Sequence, residues 1–287
     1  QMRLAGIHFD TGVFSNLTQD HLDYHGTIDE YKKCKKTLFM NCDKGVFNAD
    51  DEASFYMAEN VPCTKQYYSV NNSSDFKAEN VGLFFDRVEY TLNGEKVVFH
   101  IPGDFSVYNS LAAISAVVQL GFPLKDVVKA IFNAGSVSGR LEVLKTNTDF
   151  SVIIDYAHSP DGLEKAISAV RGFTEGRVIT LFGCGGDRDK TKRPKMGRIA
   201  AELSDIVIVT TDNPRTEIPE MIINDILEGT KEGNAEIITV VDRSEAIAKA
   251  ISIAKKGDTI LLAGKGHETY QVIGKERVHY DEREVVF

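Results

Sequence analysis

Runs of consecutive apolar residues alternate with amphipathic segments along the C-terminal half of the chain. Four such runs cover residues 152–154, 178–182, 206–209 and 260–263. Continuous apolar runs of this length are typical of strands that are buried on both faces of a parallel sheet. Helix-length amphipathic segments lie between them, at about 163–171, 194–203, 219–228 and 245–255. This pattern predicts an α/β fold with a doubly wound parallel sheet.

The N-terminal half has a different pattern, with local signals for a helix and a hairpin. Thr27 and Glu30 form a capping box, which predicts a helix that runs to about Phe39. Asn93-Gly94 separates two alternating segments, and this dipeptide is a strong signal for a two-residue hairpin turn.

Two further helices are predicted before the chain enters the parallel-sheet half. An apolar segment at 110–120 predicts a buried helix, which Asn109 would open and could cap. A second segment at about 124–133 predicts a shorter helix. We place the boundary near residues 145–150, which gives an N-terminal domain of residues 1–145 and a C-terminal domain of residues 146–287.

Polar loops follow each of the four apolar runs. The loop Asp212-Asn213-Pro214-Arg215 carries a carboxylate, an amide and a guanidinium, a combination that can hold a small zwitterion. An ordinary polar turn before a helix accounts for these four residues about equally well. However, ligands bind at the carboxyl ends of parallel strands, where all four loops would meet. We expect the following side chains to converge there: Asp155, His158, Arg188, Asn213, Arg215 and Glu268.

Composition and charge narrow the classes of function. The chain has 287 residues, of which 43% are hydrophobic and 26% charged, as expected for two globular domains. A net charge of −9 without an isolated basic face argues against a nucleic-acid partner. No apolar stretch approaches the ~18 residues that cross a membrane. Four cysteines without C-x-x-C spacing indicate a reduced, cytoplasmic protein.

The local sequence gives only weak support for two candidate sites in the N-terminal half. His21 and His25 have a spacing that could bind zinc on a helix, but Leu22 stands where the zinc-protease pattern requires glutamate. Histidine beside carboxylates also suits a hydrated magnesium ion, although a histidine near a loop is more often structural. Lys35 follows Tyr31 by four residues on one helix face, where a solvated lysine is the default.

Phosphate-binding glycine motifs are absent or imperfect. The pattern G-x-x-x-x-G-K-[ST] does not occur in the 287 residues. The stretch Gly183-Cys184-Gly185-Gly186 partly matches a dinucleotide fingerprint, but Arg188 occupies its third glycine position. This departure argues against a nicotinamide cofactor.

Taken together, these motifs resemble those of the Mur ligases, which build the peptidoglycan precursor. The resemblance covers nearly the whole chain. Asp212-Asn213-Pro214-Arg215 resembles the recognition motif of members that take meso-diaminopimelate, since members that use L-lysine lack the arginine. The resemblance implies a truncated central ATPase domain followed by a Rossmann-like doubly wound C-terminal domain. The segments that carry it are 13–26 for the central domain and 155–161, 183–189, 192–194 and 264–268 for the C-terminal domain.

The resemblance also implies roles for individual residues. Lys35 would be carbamylated and would hold a magnesium ion together with His21, which reverses the local interpretation of both. Gln1 and Arg3 would contact the UDP-muramoyl-dipeptide. The positions implied for ATP are Asn109, Arg140, Asp155 and His158, and those implied for diaminopimelate are Arg188, Asp212, Asn213, Pro214, Arg215, Gly264 and Glu268.

The implied activity is an ATP-dependent ligation. Meso-diaminopimelate would be added to the D-glutamyl γ-carboxylate of UDP-N-acetylmuramoyl-L-alanyl-D-glutamate through an acyl phosphate, with Mg²⁺, by a cytoplasmic monomer. Family members also have an N-terminal domain, a P-loop and a metal-binding glutamate ahead of the position of Gln1. We therefore expect this chain to be truncated and inactive by itself.

Three alternatives stay open at this point. The chain could be a non-catalytic homologue that only binds a ligand, or a nicotinamide-dependent oxidoreductase on a doubly wound sheet. Folylpolyglutamate and cyanophycin synthetases share the implied architecture, but we do not expect the motif at 212–215 in them.

Overall fold

The computed structural model describes residues 6–17, 27–135 and 137–287, which form two compact units. The first unit comprises Gln1–Gly82, Arg87–His100 and Asp104–Ala134, and the second comprises Leu83–Asp86, Ile101–Gly103 and Gly135–Phe287. The sequence places the boundary near residues 145–150 instead. The difference arises because the short strand at 142–144 pairs with the first long strand of the second unit.

The first unit contains a six-stranded sheet with the strands in chain order. The first four strands pair in parallel, and the last two form an antiparallel hairpin. Asn93 and Gly94 have φ values of 48° and 86°, the left-handed backbone that a tight hairpin turn requires, which confirms the predicted hairpin. The strands are β1 (Phe9–Phe14), β2 (Cys42–Asn48), β3 (Thr64–Ser69), β4 (Phe76–Leu83), β5 (Val88–Leu92) and β6 (Glu95–Phe99).

The helices of the first unit agree with most of the sequence signals. They are α1 (Ile28–Lys36), α2 (Ser54–Ala58), α3 (Asp104–Gln119) and α4 (Leu124–Phe132). The Thr27 hydroxyl accepts a hydrogen bond of 3.2 Å from the Glu30 amide, as the capping box predicts.

The prediction that Asn109 opens the buried helix is wrong. Helix α3 begins at Asp104, directly after Gly103 with a φ of 92°, so Asn109 lies in the helix interior. The first turns of α3 contain buried serines. Serine is a polar residue type that is common in loops, so the sequence alone did not indicate a helix there. The Ser110 hydroxyl donates to the Ser106 carbonyl at 2.8 Å, so its polarity is satisfied within the helix.

The second unit contains the predicted doubly wound sheet. Its strand order is β11-β10-β9-β12-β8-β7, with β7 antiparallel and the other five strands parallel. The fully buried β9, β10 and β12 correspond to three of the four apolar runs, and β8 to the remaining one. The strands are β7 (Glu142–Leu144), β8 (Ser151–Asp155), β9 (Val178–Phe182), β10 (Ile206–Val209), β11 (Glu236–Thr239) and β12 (Thr259–Ala263).

Helices cover both faces of this sheet. The connections β8–β9, β9–β10 and β10–β11 all move in the same direction along the sheet, whereas the connection β11–β12 moves back in the opposite direction. Because each crossover is right-handed, helix α8 lies on the face of the sheet opposite α5, α6 and α7. A small hairpin of β13 (Tyr270–Ile273) and β14 (Glu276–His279) follows β12. The helices are α5 (Pro160–Arg171), α6 (Lys192–Leu203), α7 (Pro219–Thr230), α8 (Arg243–Ile253) and α9 (Glu282–Val286).

No helix within the described ranges is both long enough and apolar enough to cross a membrane.

Candidate ligand site at the carboxyl edge of the second sheet

A pocket of about 350 Å³ lies at the carboxyl edge of the second sheet. Residues from the loops after β8, β9, β10 and β12 line it, so the predicted convergence of these four loops is confirmed. The predicted site residues that line it are His158, Arg188, Asp212, Asn213, Arg215, Gly264 and Glu268.

The loop after β10, residues 212–217, is called the recognition loop below. Its backbone is pinned to the β13 strand, since the Arg215 amide donates to the Val272 carbonyl at 3.0 Å and the Gly274 amide donates to the Arg215 carbonyl at 2.8 Å. Arg215 has a φ of 52°, an unfavourable backbone conformation for a residue with a side chain. These hydrogen bonds hold it in that conformation.

The guanidinium of Arg215 lies against the loop after β9, residues 183–189, called the glycine-rich loop. Its Nη1 donates to the Gly186 carbonyl at 2.7 Å. A Cβ atom at Gly185 would lie only 2.8 Å from the same nitrogen. Glycine at position 185 therefore leaves the space that this guanidinium occupies.

A buried arginine, Arg193, also ties the glycine-rich loop to the recognition loop. Arg193, with a fully buried side chain, donates to Glu217 at 2.8 and 3.0 Å, to Asp225 at 2.8 Å and to the Gly185 carbonyl at 3.3 Å. Glu217 also accepts from the Asp187 amide at 2.6 Å. The Arg193 and Asp187 donors hold the pKa of Glu217 at about 2, well below its usual 4.5.

A buried lysine lies beneath the recognition loop, and sequence reasoning missed it as a site residue. The Lys265 side chain is fully buried, and its Nζ lies 3.1 Å from Asn213 Oδ1 and 3.4 Å from both Asp212 Oδ1 and Glu268 Oε2. Asn213 in turn donates to Glu268 at 2.9 Å. The available signal was a lysine between two glycines directly after a fully buried strand.

The residues implied for the nucleotide in the second unit form an aromatic and cationic group. The Tyr156 ring contacts the rings of His158 and His267, with centroid distances of 4.7 and 4.9 Å, and the Arg140 guanidinium lies 5.1 Å from its centroid. Flat rings and a guanidinium suit stacking against a purine base. Tyr156 and His267 were not among the predicted site residues.

Asp155 lies at the end of β8, and its carboxylate has a structural role in the chain. It accepts hydrogen bonds of 2.8 Å from the amides of Leu141 and Ala157. Burial raises the pKa of Asp155, while these hydrogen bonds and the charges of Arg140 and His158 oppose the shift. It therefore positions the segment that carries Arg140 next to the loop after β8.

The remaining predicted residues belong to the first unit or fall outside the described ranges. Asn109 is exposed on α3, and Lys35 is half-buried on α1 with its Nζ 4.9 Å from the Tyr31 ring, on the helix face that the sequence predicts. His21 falls outside the described residues, as do Gln1 and Arg3. Within the described ranges, no group of three His, Cys, Asp or Glu residues could hold a metal ion.

Comparisons with known proteins match both halves of the chain to one family. Residues 1–117 match the Mur ligase middle domain, and residues 139–266 match the Mur ligase glutamate ligase domain. Among curated relatives, the UDP-N-acetylmuramoyl-L-alanyl-D-glutamate–2,6-diaminopimelate ligase 1 of Clostridium acetobutylicum is 47% identical, and the similarly named ligase of Parabacteroides distasonis is 43% identical. Each match covers 99% of this chain and 60% of the relative, so the chain spans about 60% of the length of these relatives.

Solved structures show the same relationship. A structure of a UDP-N-acetylmuramoyl-L-alanyl-D-glutamate–2,6-diaminopimelate ligase matches with a TM-score of 0.71 and 33% identity, over 99% of this chain and 60% of that chain. A pseudomurein peptide ligase type C from Methanothermus fervidus matches with a TM-score of 0.67 and 23% identity, over 89% of this chain and 61% of that chain, which shows a shared fold. Because two Mur ligase family models together match residues 1–117 and 139–266, most of its length, the chain belongs to the Mur ligase family.

Proposed function

We propose that the gene product containing this chain is an ATP-dependent ligase that adds meso-diaminopimelate to the γ-carboxylate of UDP-N-acetylmuramoyl-L-alanyl-D-glutamate. The observation that carries the proposal is the composition of the pocket at the carboxyl edge of the second sheet. Arg188, Asp212, Asn213, Arg215 and Glu268 line this one pocket, and they complement both charges of an amino-acid head group.

The distal head of diaminopimelate distinguishes it from lysine, because it carries an additional carboxylate. Arg215 would pair with this carboxylate through the donors that the Gly186 carbonyl does not use, and Arg188 would approach it from the glycine-rich loop. Glu268 or Asp212 would accept the ammonium of the same head. Lysine would leave the guanidinium without its partner, a loss of several kcal/mol, which is the basis of the proposed specificity.

The reaction couples ATP to amide formation. The D-glutamyl γ-carboxylate would attack the γ-phosphate of ATP, giving ADP and an acyl phosphate, and the amine of diaminopimelate would then displace inorganic phosphate. Arg140, Tyr156, His158 and Asn109 would contact the nucleotide. We also propose that Lys35, carbamylated, and His21 hold Mg²⁺, which would neutralise phosphate charge when bound.

The main support for a nicotinamide-dependent oxidoreductase was the partial dinucleotide fingerprint in the glycine-rich loop, and the structure gives these glycines another explanation. A Cβ atom at Gly183 would lie 2.3 Å from the Thr210 carbonyl oxygen, and one at Gly186 would lie 1.9 Å from the Pro214 carbonyl oxygen. These glycines permit close contact with the neighbouring loop, so their presence needs no dinucleotide pyrophosphate to explain it.

Phosphate release from ATP by the full-length gene product tests the proposal. The reaction would contain UDP-N-acetylmuramoyl-L-alanyl-D-glutamate with and without meso-diaminopimelate, and mass spectrometry would identify the product. We expect phosphate release that depends on diaminopimelate and one new amide per ATP consumed. A protein that binds diaminopimelate without turning over ATP would instead be the non-catalytic homologue.

A further inference from the structure

A single buried cation serves three polar side chains of the candidate pocket. The Lys265 ammonium, fully excluded from solvent, lies between Asp212, Asn213 and Glu268 and also donates to the Tyr270 carbonyl at 2.9 Å. A lysine ammonium has three donors and is rarely buried unless paired. Two carboxylates and two neutral acceptors therefore surround this one cation.

The position of Lys265 determines the orientation of the Asn213 amide. Asn213 Oδ1 accepts from Lys265 Nζ at 3.1 Å and from the Val272 amide at 2.9 Å. Both neighbours are donors, so a flipped amide would place its own donors against them. The Asn213 Nδ2 is thus directed to Glu268 Oε2, at 2.9 Å.

The same network sets the orientation of the Glu268 carboxylate. Its Oε2 is held by Asn213 and lies 3.4 Å from the Lys265 ammonium. The carboxylate is 15% exposed and lines the pocket, so the other oxygen is the one available to a ligand.

Asp212 adds an unsatisfied acceptor to this arrangement. It is 7% exposed, and its Oδ1 is buried without a hydrogen bond among the described residues, although the Lys265 ammonium is 3.4 Å away. A buried carboxylate oxygen that makes no hydrogen bond is costly unless a nearby cation compensates its charge, and the Lys265 ammonium provides that charge here. Removal of this ammonium would leave the Asp212 oxygen buried without compensation.

We propose that Lys265 is a positioning residue of the amino-acid site, whose buried ammonium fixes the Asn213 amide and the Glu268 carboxylate to receive the ammonium of the ligand. The inference rests on the proposed function, because it takes meso-diaminopimelate as the ligand. Lys265 separates the two carboxylates electrostatically, and without it they would repel each other and reorient. The ligand would then meet acceptors that are no longer in place.

The test is a comparison of Michaelis constants in the full-length gene product. We expect Lys265→Met to raise the KM for meso-diaminopimelate by about tenfold or more, with the KM for ATP within about twofold of wild type. Lys275→Met is the matched control, since Lys275 is an exposed lysine in the turn between β13 and β14. We expect the control to leave every KM unchanged.

The outcomes separate this inference from the proposed function. No diaminopimelate-dependent phosphate release by the wild type would overturn the proposed function and the inference with it. An active wild type with an unchanged or lowered KM for diaminopimelate in Lys265→Met would overturn the inference alone, as would equal rises in both KM values.

A variant that keeps a neutral donor guards against failure to fold. Lys265→Gln retains an N–H group for the Asn213 and Tyr270 oxygens, and the same selective rise in KM is expected. If circular dichroism showed both variants unfolded, Lys265 would be a purely structural residue and the inference would be wrong.

Discussion

Replacing Arg193 by methionine tests whether one buried guanidinium holds the glycine-rich loop and the recognition loop together. Methionine fills the space of the aliphatic stem but cannot donate to Glu217, Asp225 or the Gly185 carbonyl. The substitution removes three charge-assisted hydrogen bonds of 2.8–3.0 Å and a longer one of 3.3 Å.

The magnitude follows from the solvent exposure of the two acidic partners. Breaking a fully buried ion pair costs ~3–5 kcal/mol. Asp225 is 44% exposed and can be solvated again, whereas Glu217 is 16% exposed. Glu217 also keeps Lys190 at 3.1 Å and the Asp187 amide at 2.6 Å. We therefore expect the variant to lose about 2–3 kcal/mol of unfolding free energy at neutral pH.

The difference between wild type and variant should depend on pH. The pKa of Glu217 is about 2 in the folded chain, against 4.5 for an ordinary glutamate. A carboxylate with a lowered folded pKa stabilises the fold above its unfolded pKa, and this contribution is lost as the pH falls through the folded pKa. The stability difference should thus be full at neutral pH and narrow between pH 4.5 and about 2.

Urea unfolding followed by circular dichroism measures this difference, and hydrogen exchange of α6 peptides assigns the transition to the second unit. Arg198→Met is the control, because Arg198 lies on the same helix with a side chain that is 50% exposed. It should change stability by less than about 0.5 kcal/mol. The reasoning would be refuted if Arg193→Met lost no more stability than the Arg198→Met control. It would also be refuted if the stability difference between wild type and Arg193→Met stayed constant down to pH 2.

Two further substitutions test the loops around the pocket. Gly139→Ala should destabilise the second unit by more than about 2 kcal/mol, because Gly139 has a φ of 71° and its Cβ atom would lie 2.2 Å from the Gly266 carbonyl carbon. Gly135→Ala, where a Cβ meets nothing within 4 Å, should be near neutral in the same urea titration. Arg215→Met should lower kcat/KM for meso-diaminopimelate by about 100-fold and leave the KM for ATP unchanged; equal effects on both would contradict the proposed carboxylate contact.

The parallel sheet was predictable because burial on both faces leaves an unbroken apolar run in the sequence. The runs at 178–182, 206–209 and 260–263 became β9, β10 and β12, and the known rule for carboxyl ends then placed the four loops together. The hairpin of β13 and β14 was missed because its residues are exposed or half-exposed, so no apolar pattern marks it.

The polar network of the site was less predictable than its location. A lysine or arginine in the sequence is most often solvated, so burial of Lys265, Arg193 and Arg243 could not be read from residue type. Burial depends on partners distant in the chain, such as Glu282, which lies 2.7 Å from the Arg243 guanidinium. The polar N-terminal turns of α3 misled the prediction for Asn109 in the same way, because their hydroxyls are satisfied by the helix itself.

The most direct measurement is a competition between meso-diaminopimelate and L-lysine at equal concentration. The full-length gene product would receive ATP, Mg²⁺ and UDP-N-acetylmuramoyl-L-alanyl-D-glutamate, and mass spectrometry would identify which amino acid enters the product. The account predicts a product that contains diaminopimelate alone in the wild type, with that preference much reduced in Arg215→Met. A wild-type product that contains lysine in comparable amount would contradict the assignment of the pocket to a second carboxylate.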